Sequence, residues 1–531
     1  MSKTEFDVAI IGGGHNGLVC AAYLARAGKR VVVLEKNAVL GGAAVTEEFH
    51  PGFRNSVAAY TVSLLSPVVI GDLELARHGL RILERPAANF WPIDATTCLL
   101  MPYGQAARQR AIAAFSVRDA ERLPAYDLAL EKAAAFLRGL MLQTPPNVGG
   151  GVRDLLLNAG LAWRTWGLDA ADKRLLLDLF TKSAADFLEQ WFESEIVKGA
   201  FAFDGIVGAY ASPYTAGTAY VLLHHCFGEV NGKAGVWGHA VGGMGAITQA
   251  MAAAAAEKGA VLRTEAPVAR ILVRQARACG VVLAEGEEIA AKAVAANVGP
   301  KLLFRDLVPG DAVAEEVAAR FRRVKTGSGT FRMNVALSEL PDFTCKPGRE
   351  AQAHHGSGIV IGPTMAYMDK AYLDARVHGW SRAPVVEMLI PSTLDPQLAP
   401  PGRHVASLFV QHVAPQLPGG QSWDGAREAF ADVVIDTVTH HAPNFRGSVL
   451  GRQVLSPLDL ERRFGLVDGD IFHGQLSLGQ LFSARPVLGH ADYRMPLPGL
   501  YLCGSGAHPG GGVTGLPGRN AAGEILRDLK A

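Results

Sequence analysis

DVAIIGGGHNGLVCAAYLARAGKRVVVLEKN, residues 7–37, decides the fold. Asp7-Val8-Ala9-Ile10-Ile11 reads as a short buried strand that runs into Gly12-Gly13-Gly14-His15-Asn16-Gly17. Glycine stands at every position of the G-x-G-x-x-G dinucleotide fingerprint. Gly12 permits the tight turn, Gly14 lets the backbone approach a pyrophosphate, and Gly17 lets the next helix pack on the sheet. Leu18 to Gly28 reads as that helix, with Gly28 as its stop. Its N-terminus offers unpaired N–H groups and a positive dipole end to a diphosphate. Arg30 to Leu34 is the second strand, closed by Glu35 at about twenty residues past the glycines, where a carboxylate holds ribose hydroxyls. A tight turn that binds nothing leaves Glu35 unexplained. A dinucleotide site is therefore expected, contacted by Gly12, Gly14, His15, Asn16, Gly17, Glu35 and Lys36.

The totals narrow the field. With 531 residues, the chain can build more than one domain with a sizeable core. Basic and acidic side chains number 51 and 50, so bulk charge gives no reason to expect nucleic acid as a partner. Glycine reaches 60 of 531, above the usual ~7%, and the excess collects in clusters. Cysteines at 20, 98, 226, 279, 345 and 503 form no C-x-x-C, which argues against a redox dithiol or zinc ribbon and fits a reducing compartment. Met1 to Phe6 is too short for a leader, and no apolar run reaches eighteen residues. The expected location is cytoplasmic, without a transmembrane segment; a peripheral membrane contact and the oligomeric state stay open.

From about 76 to 235 the chain is helical and richer in aromatics. Ser116 to Leu142 reads as a helix capped by Ser116 and stopped before Pro145-Pro146. Tyr60 reads as core more readily than as catalytic. His224 and His225 are adjacent, so on a helix they diverge and make no ligand pair; no metal site is expected. Trp237-Gly238-His239-Ala240-Val241-Gly242-Gly243-Met244 marks a return to the nucleotide-type domain, with a helix over Ala246–Lys258, short strands after it, and Val294 to Asn297 rejoining a parallel sheet. Residues 300–484 alternate short strands with few helices, as in a mixed sheet. At the end, the strand Leu500 to Cys503 runs into Gly504-Ser505-Gly506-Ala507-His508-Pro509-Gly510-Gly511-Gly512-Val513-Thr514-Gly515 and a final helix. A glycine-rich strand-to-helix loop suits backbone contact with a flat ring, and the helix dipole favours negative charge there.

Five stretches carry a family resemblance: Gly12–Ala44, Trp237–Met244, Pro391–Gly402, Pro457–Phe464 with Ile471-Phe472-His473, and Gly499–Asn520. In these the chain resembles phytoene-desaturase-like flavoproteins, relatives of the amine oxidases, nearly end to end. The resemblance implies an α/β fold: a glutathione-reductase-type, Rossmann-like FAD domain with a mixed α+β substrate or cap domain. It implies a discontinuous FAD domain over 1–75, 236–305 and 485–531, and a cap over 76–235 and 306–484. FAD is expected over NAD because Gly41-Gly42-Ala43-Ala44 follows the second strand as in those flavoproteins. Further implied cofactor contacts are Gly41, Gly42, Ala43, Ala44, Val268 (adenine), Gly504, Ser505, Gly512, Val513 and Thr514. Many relatives carry Gly-Asp where this chain has Gly504-Ser505, and serine offers a hydrogen bond without charge. An animal-type branch of the family would place the protein in mitochondria.

The expected chemistry is hydride removal from a small apolar or conjugated substrate to flavin N5, with oxygen or a quinone as acceptor. His508, in the flavin-contact loop, and His239 are the candidate catalytic side chains. Rival readings are a flavin-dependent polyene cis–trans isomerase, a flavin-carrying binding or regulatory protein, and a dehydrogenase using NAD alone.

Overall fold

The computed structural model describes residues 6–530; the segment 1–5, read above as too short for a leader, lies outside them. The opening strand Phe6–Ile11 is flanked in parallel by Val31–Leu34 and Glu288–Ala296, and Val261–Arg263 and Leu500–Leu502 extend the same parallel sheet at its two sides. Both faces of such a sheet are covered, which is why Val31-Val32-Val33-Leu34 is an unbroken apolar run, buried throughout. One face receives the helices His15–Arg26, Met244–Glu257 and Leu516–Asp528, the first packing against each of the other two. Glu288–Ala296 changes role along its length. Its first half pairs antiparallel with Arg277–Leu283, which in turn pairs with Val268–Arg274; its second half joins the parallel sheet.

A second sheet runs in the order Val449–Leu455, Phe331–Leu337, His404–Val413, Trp380–Leu389, Gly358–Ile361, Asn89–Pro92 and Cys98–Met101. It is mixed: Gly358–Ile361 lies parallel to Asn89–Pro92 and the other pairs are antiparallel. One face packs on the helix Trp423–His441 through Met333, Val335, Leu408, Val410 and Phe430. Residues 300–484 hold more helix than the sequence pattern suggests. Met365–His378 had no apolar stripe strong enough to betray it, since only Met365, Met368, Ala371 and Ala375 are buried.

A helical layer completes the molecule. Val117–Met141 is capped by the Ser116 hydroxyl, which accepts the Asp119 N–H, as the sequence implies. Around it, Phe187, Phe192, Phe203, Leu222 and Leu223 form an apolar cluster that reaches the second sheet at Phe409 and Val385. Among the described residues no helix is long and apolar enough to cross a membrane.

Candidate functional site

The chain ends of the parallel strands bring the glycine-rich segments together. Gly12 turns at φ +93°, a conformation glycine adopts without strain. The two glycine segments run side by side: Gly41 N–H donates to the Gly13 carbonyl at 2.9 Å, and a side chain on Gly42 would stand 3.1 Å from the Gly14 Cα. A Cβ on Gly17 would lie 2.3 Å from the Gly12 carbonyl oxygen, so the opening helix sits as close to its turn as backbone permits. Glu35 is buried; one carboxylate oxygen accepts the Gly13 N–H at 2.8 Å and the other accepts Asn37 N–H and Nδ2 at 2.9 Å. Lys36 turns aside, its Nζ donating to the Arg462 carbonyl.

The closing loop meets this turn directly. Asn16 Nδ2 donates to Ser505 Oγ at 3.1 Å, across 489 residues of sequence. Asn297 is wedged between the two, its Nδ2 donating to the Gly12 carbonyl, and a Cβ on Gly504 would lie 3.0 Å from its Oδ1. Thr514 Oγ1 accepts the Leu516 N–H at 3.1 Å, just ahead of the Gly515 N-cap of the final helix. Val268 stands half-buried at the start of its strand. The buried Arg485 guanidinium donates to the carbonyls of Phe472 and Ser505 at 2.7 Å, of Gly474 and Gln480 at 3.2 Å, and of Ala507 at 3.3 Å. This one side chain fixes the loop's path. Sequence reading missed Asn297 and Arg485, because neither lies in a recognisable motif.

His15, Ala43, Ala44, Ser505, Gly512 and Val513 line one cavity. Its remaining wall comes from elsewhere: Tyr60, Phe203, Asp204, Trp237, Glu387 and Phe409 among others. His15 and His473 face it as neutral imidazoles. Burial, reinforced by His473, pushes the His15 pKa down to about 3, and burial with Arg485 brings His473 to about 4. His15 Nε2, Asn16 Oδ1 and His473 Nδ1 are buried without hydrogen-bond partners. Buried polar atoms are seldom left so, and these collect where the glycine cradle would hold a dinucleotide; the residues present therefore fit one.

Neither candidate histidine lines this cavity. His508 points into an adjoining apolar pocket beside Leu140, Met141 and Phe482, its Nε2 3.1 Å from the Leu140 carbonyl, and burial pushes its pKa down to about 4. His239 is buried against Asp395, Nε2 to Oδ2 3.4 Å, with Asp395 also accepting the Gly242 N–H at 2.7 Å. Each imidazole has a structural partner that turns it from the cavity. The loop that carries His508 presents Ser505, Gly512 and Val513 there instead.

Away from the glycine cradle, the acidic side chains that line the cavity are Asp204 and Glu387, with Tyr60, Thr61, Ser63, Asn89 and His225 among the other polar groups there. Tyr60, read from sequence as core, stacks on Phe409 with centroids 5.2 Å apart and donates its hydroxyl to Glu387 Oε2 at 2.5 Å. Arg332 Cζ lies 4.5 Å from the Tyr60 ring centroid. Arg332, Phe409 and Glu387 are directly paired across neighbouring strands, so they form one row on one sheet face. Burial raises the Glu387 pKa, opposed by Arg85, the Tyr60 hydrogen bond and Arg332. Asp204 lies in the short turn Phe203–Gly205; burial first, and the charge of Glu387 second, push its pKa up to about 7. No spacing in the sequence links these residues, and a lone Asp or Glu carries no motif.

Residues 10–69 match the NAD(P)-binding Rossmann-like domain family, and residues 135–330 match the family described as flavin containing amine oxidoreductase. The chain is 42% identical to pyridine nucleotide-disulfide oxidoreductase domain-containing protein 2 of Rattus norvegicus, over 99% of this chain and 94% of that protein. It is 26% identical to the phytoene desaturase (lycopene-forming) of Pseudescherichia vulneris, over all of both chains. Among solved structures, cyclohexylamine oxidase from Brevibacterium oxydans IH-35A shares the fold at a TM-score of 0.58, with 16% identity and coverage of 99% of this chain and 100% of that one.

Proposed function

The chain belongs to the family of pyridine nucleotide-disulfide oxidoreductase domain-containing protein 2, and from that premise we propose that it oxidises a small, largely apolar or conjugated molecule by hydride removal in the cavity between the closing loop and the second sheet. It is an oxidoreductase of the FAD type. When bound, FAD supplies the hydride acceptor.

In this reading the opening turn, Gly12 to Gly17, holds the pyrophosphate at the N-terminus of the helix His15–Arg26. Glu35, already anchored to Gly13 and Asn37, holds the ribose. Gly41 to Ala44 and the loop from Gly504 to Thr514 flank the ring system, and Val268 serves the adenine. Ser505, bonded to Asn16, stands where an acidic residue is common in related flavoproteins, so it binds the ribityl chain by an uncharged hydrogen bond. Tyr60, Phe203, Trp237 and Phe409 orient an apolar substrate and exclude water. His508 and His239 then act as positioning residues, holding the loop to Leu140 and the Gly242 turn through Asp395. The division into an FAD domain (1–75, 236–305, 485–531) and a cap (76–235, 306–484) follows the same logic: the first sheet supplies the glycine cradle, the second sheet and helical layer the substrate wall.

The observation that carries this reading is the single cavity shared by His15, Ala43, Ala44, Ser505, Gly512 and Val513 with that aromatic wall. The test is to release and identify the cofactor from purified protein, then titrate the holoprotein anaerobically with polyenes and other conjugated compounds, with and without polar groups. FAD, and loss of its colour on adding such a compound, is expected. A colourless protein, or turnover by pre-reduced protein with no net oxidation, would overturn the proposal.

A further inference from the structure

We infer that the substrate carries a hydroxyl group on its apolar body and that Asp204, flanked by Glu387 and Tyr60, is the side chain that binds this hydroxyl and takes its proton. This rests on the oxidoreductase reading above and assigns the polar end of the same cavity.

A pure hydrocarbon does not suit the wall. Asp204 lines the cavity with a carboxyl group to which no side chain or backbone N–H among the described residues donates a hydrogen bond; burial and the charge of Glu387 are the influences on it. Covering that carboxyl with hydrocarbon would leave a polar group desolvated and unpaired. Glu387 is different, because Tyr60 already donates to it at 2.5 Å and the guanidiniums of Arg85 and Arg332 bear on it. Of the two acids, Asp204 is the one with capacity to spare.

The charge balance selects the donor. Arg85 and Arg332 are both buried, and both act on Glu387. A substrate ammonium would have to be desolvated in the same buried end of the cavity, whose wall is already served by these two guanidiniums at Glu387. A neutral hydroxyl adds no charge and still fills the acceptor site on Asp204. The aromatic wall of Phe203, Trp237 and Phe409 suits a conjugated or ring-bearing body next to that hydroxyl.

The step balances. The carbinol C–H bond breaks and its hydrogen leaves as hydride, with both electrons, to FAD, which is reduced. The O–H bond breaks, its proton passes to the Asp204 carboxylate, and its electron pair becomes the second C–O bond of the carbonyl product. Asp204 must be ionised for this, and a group titrating near neutrality is poised to accept and release the proton. The groups near it are Glu387 from the second sheet, Tyr126 from the long helix, and His225, which meets the Asp204 backbone, and Cys226 at the end of Thr218–His225, with the Asp127–Arg108 pair behind them. Burial raises the Tyr126 hydroxyl and Cys226 thiol, so both stay protonated in the range where Asp204 titrates.

The test uses the full chain loaded with FAD and four probes: cinnamyl alcohol, its methyl ether, β-methylstyrene and cinnamylamine. Binding is read from the change in the flavin spectrum and turnover from anaerobic loss of flavin colour. The alcohol should bind about tenfold or more tighter than the ether or hydrocarbon, the range of one hydrogen bond to a charged group, and tighter than the amine. Asp204→Asn should abolish that preference and the rise of flavin reduction through neutral pH, while β-methylstyrene binds as before. Asp204→Glu should restore part of both. Glu387→Gln, with flavin content and near-ultraviolet circular dichroism as folding controls, should move the midpoint of the pH profile to lower pH, since the charge of Glu387 adds to burial in opposing ionisation of Asp204. Equal binding of all probes, no binding of the alcohol, tighter binding of the amine, or an unchanged pH profile in both variants would overturn the inference. If β-methylstyrene bleaches the flavin equally in the native protein and in Asp204→Asn, the oxidoreductase reading stands and the hydroxyl inference falls; a protein without FAD defeats the reading itself.

Discussion

The two ends of the cavity are made by opposite means. At the glycine end the contacts are backbone: turns at Gly12 and Gly42, N–H groups at a helix start, and strands too close together to admit a Cβ. At the acid end they are side chains, brought together by the second sheet and a short turn: Tyr60, Asp204, Glu387 and Arg332. A backbone site tolerates almost no substitution, because an added atom has no rotamer by which to escape. A side-chain site can lose a group and keep its shape, so its changes appear in pH dependence and selectivity.

That contrast breaks most sharply at Gly17. Gly17→Ala places a Cβ 2.3 Å from the Gly12 carbonyl oxygen and 2.9 Å from Asn297 Nδ2. The turn must open, and flavin affinity is expected to fall by roughly 100-fold, equivalent to ~3 kcal/mol. Purified protein should be nearly colourless, and a full complement of flavin in this variant would contradict a backbone-built site.

A smaller effect is expected at the acid end. In the folded protein Asp204 holds its proton up to about 7, whereas an unfolded aspartate releases it near ~3.9. Between those values the folded state binds more protons, so this residue's contribution to stability falls as pH rises and levels off above the folded pKa. Asp204→Asn removes that loss. Its melting temperature should exceed the native protein's by about 2 °C at alkaline pH, with the difference vanishing in acid. A variant less stable at alkaline pH would mean that the carboxylate is paired and not merely buried.

The smallest effect belongs to a region of neither kind. The helix Val152–Trp166 buries none of its residues, and Trp163 and Trp166 are each 80% exposed. Replacing either by glutamine should change stability by less than ~0.5 kcal/mol and leave flavin content untouched. A marked loss of flavin would show that this helix supports the cavity after all.

The glycine end was legible because its signals are local. The fingerprint, the helix after it, the buried run Val31 to Leu34 and Glu35 fall within one βαβ unit, and the structure brings Asn16 against Ser505 as the linked turns require. The same reading reached less far where the signal was only a residue type. His508 and His239 look chemical in a sequence, yet burial and hydrogen bonds to Leu140 and Asp395 turn them from the cavity. Tyr60 looks like core, and its ring is packed like core, but its hydroxyl meets Glu387 across 327 residues.

The amino-acid order by itself determined the parallel α/β scaffold, the dinucleotide turn and the closing loop, since period, glycine placement and helix stops act over a few residues. Which acids meet the substrate was decided by tertiary structure alone. Arg332, Phe409 and Glu387 fall in one row only because three strands pair in one register, and a slip of one residue would send each to the opposite face. Register of that kind is set by how a whole sheet packs, and no short stretch of chain contains it.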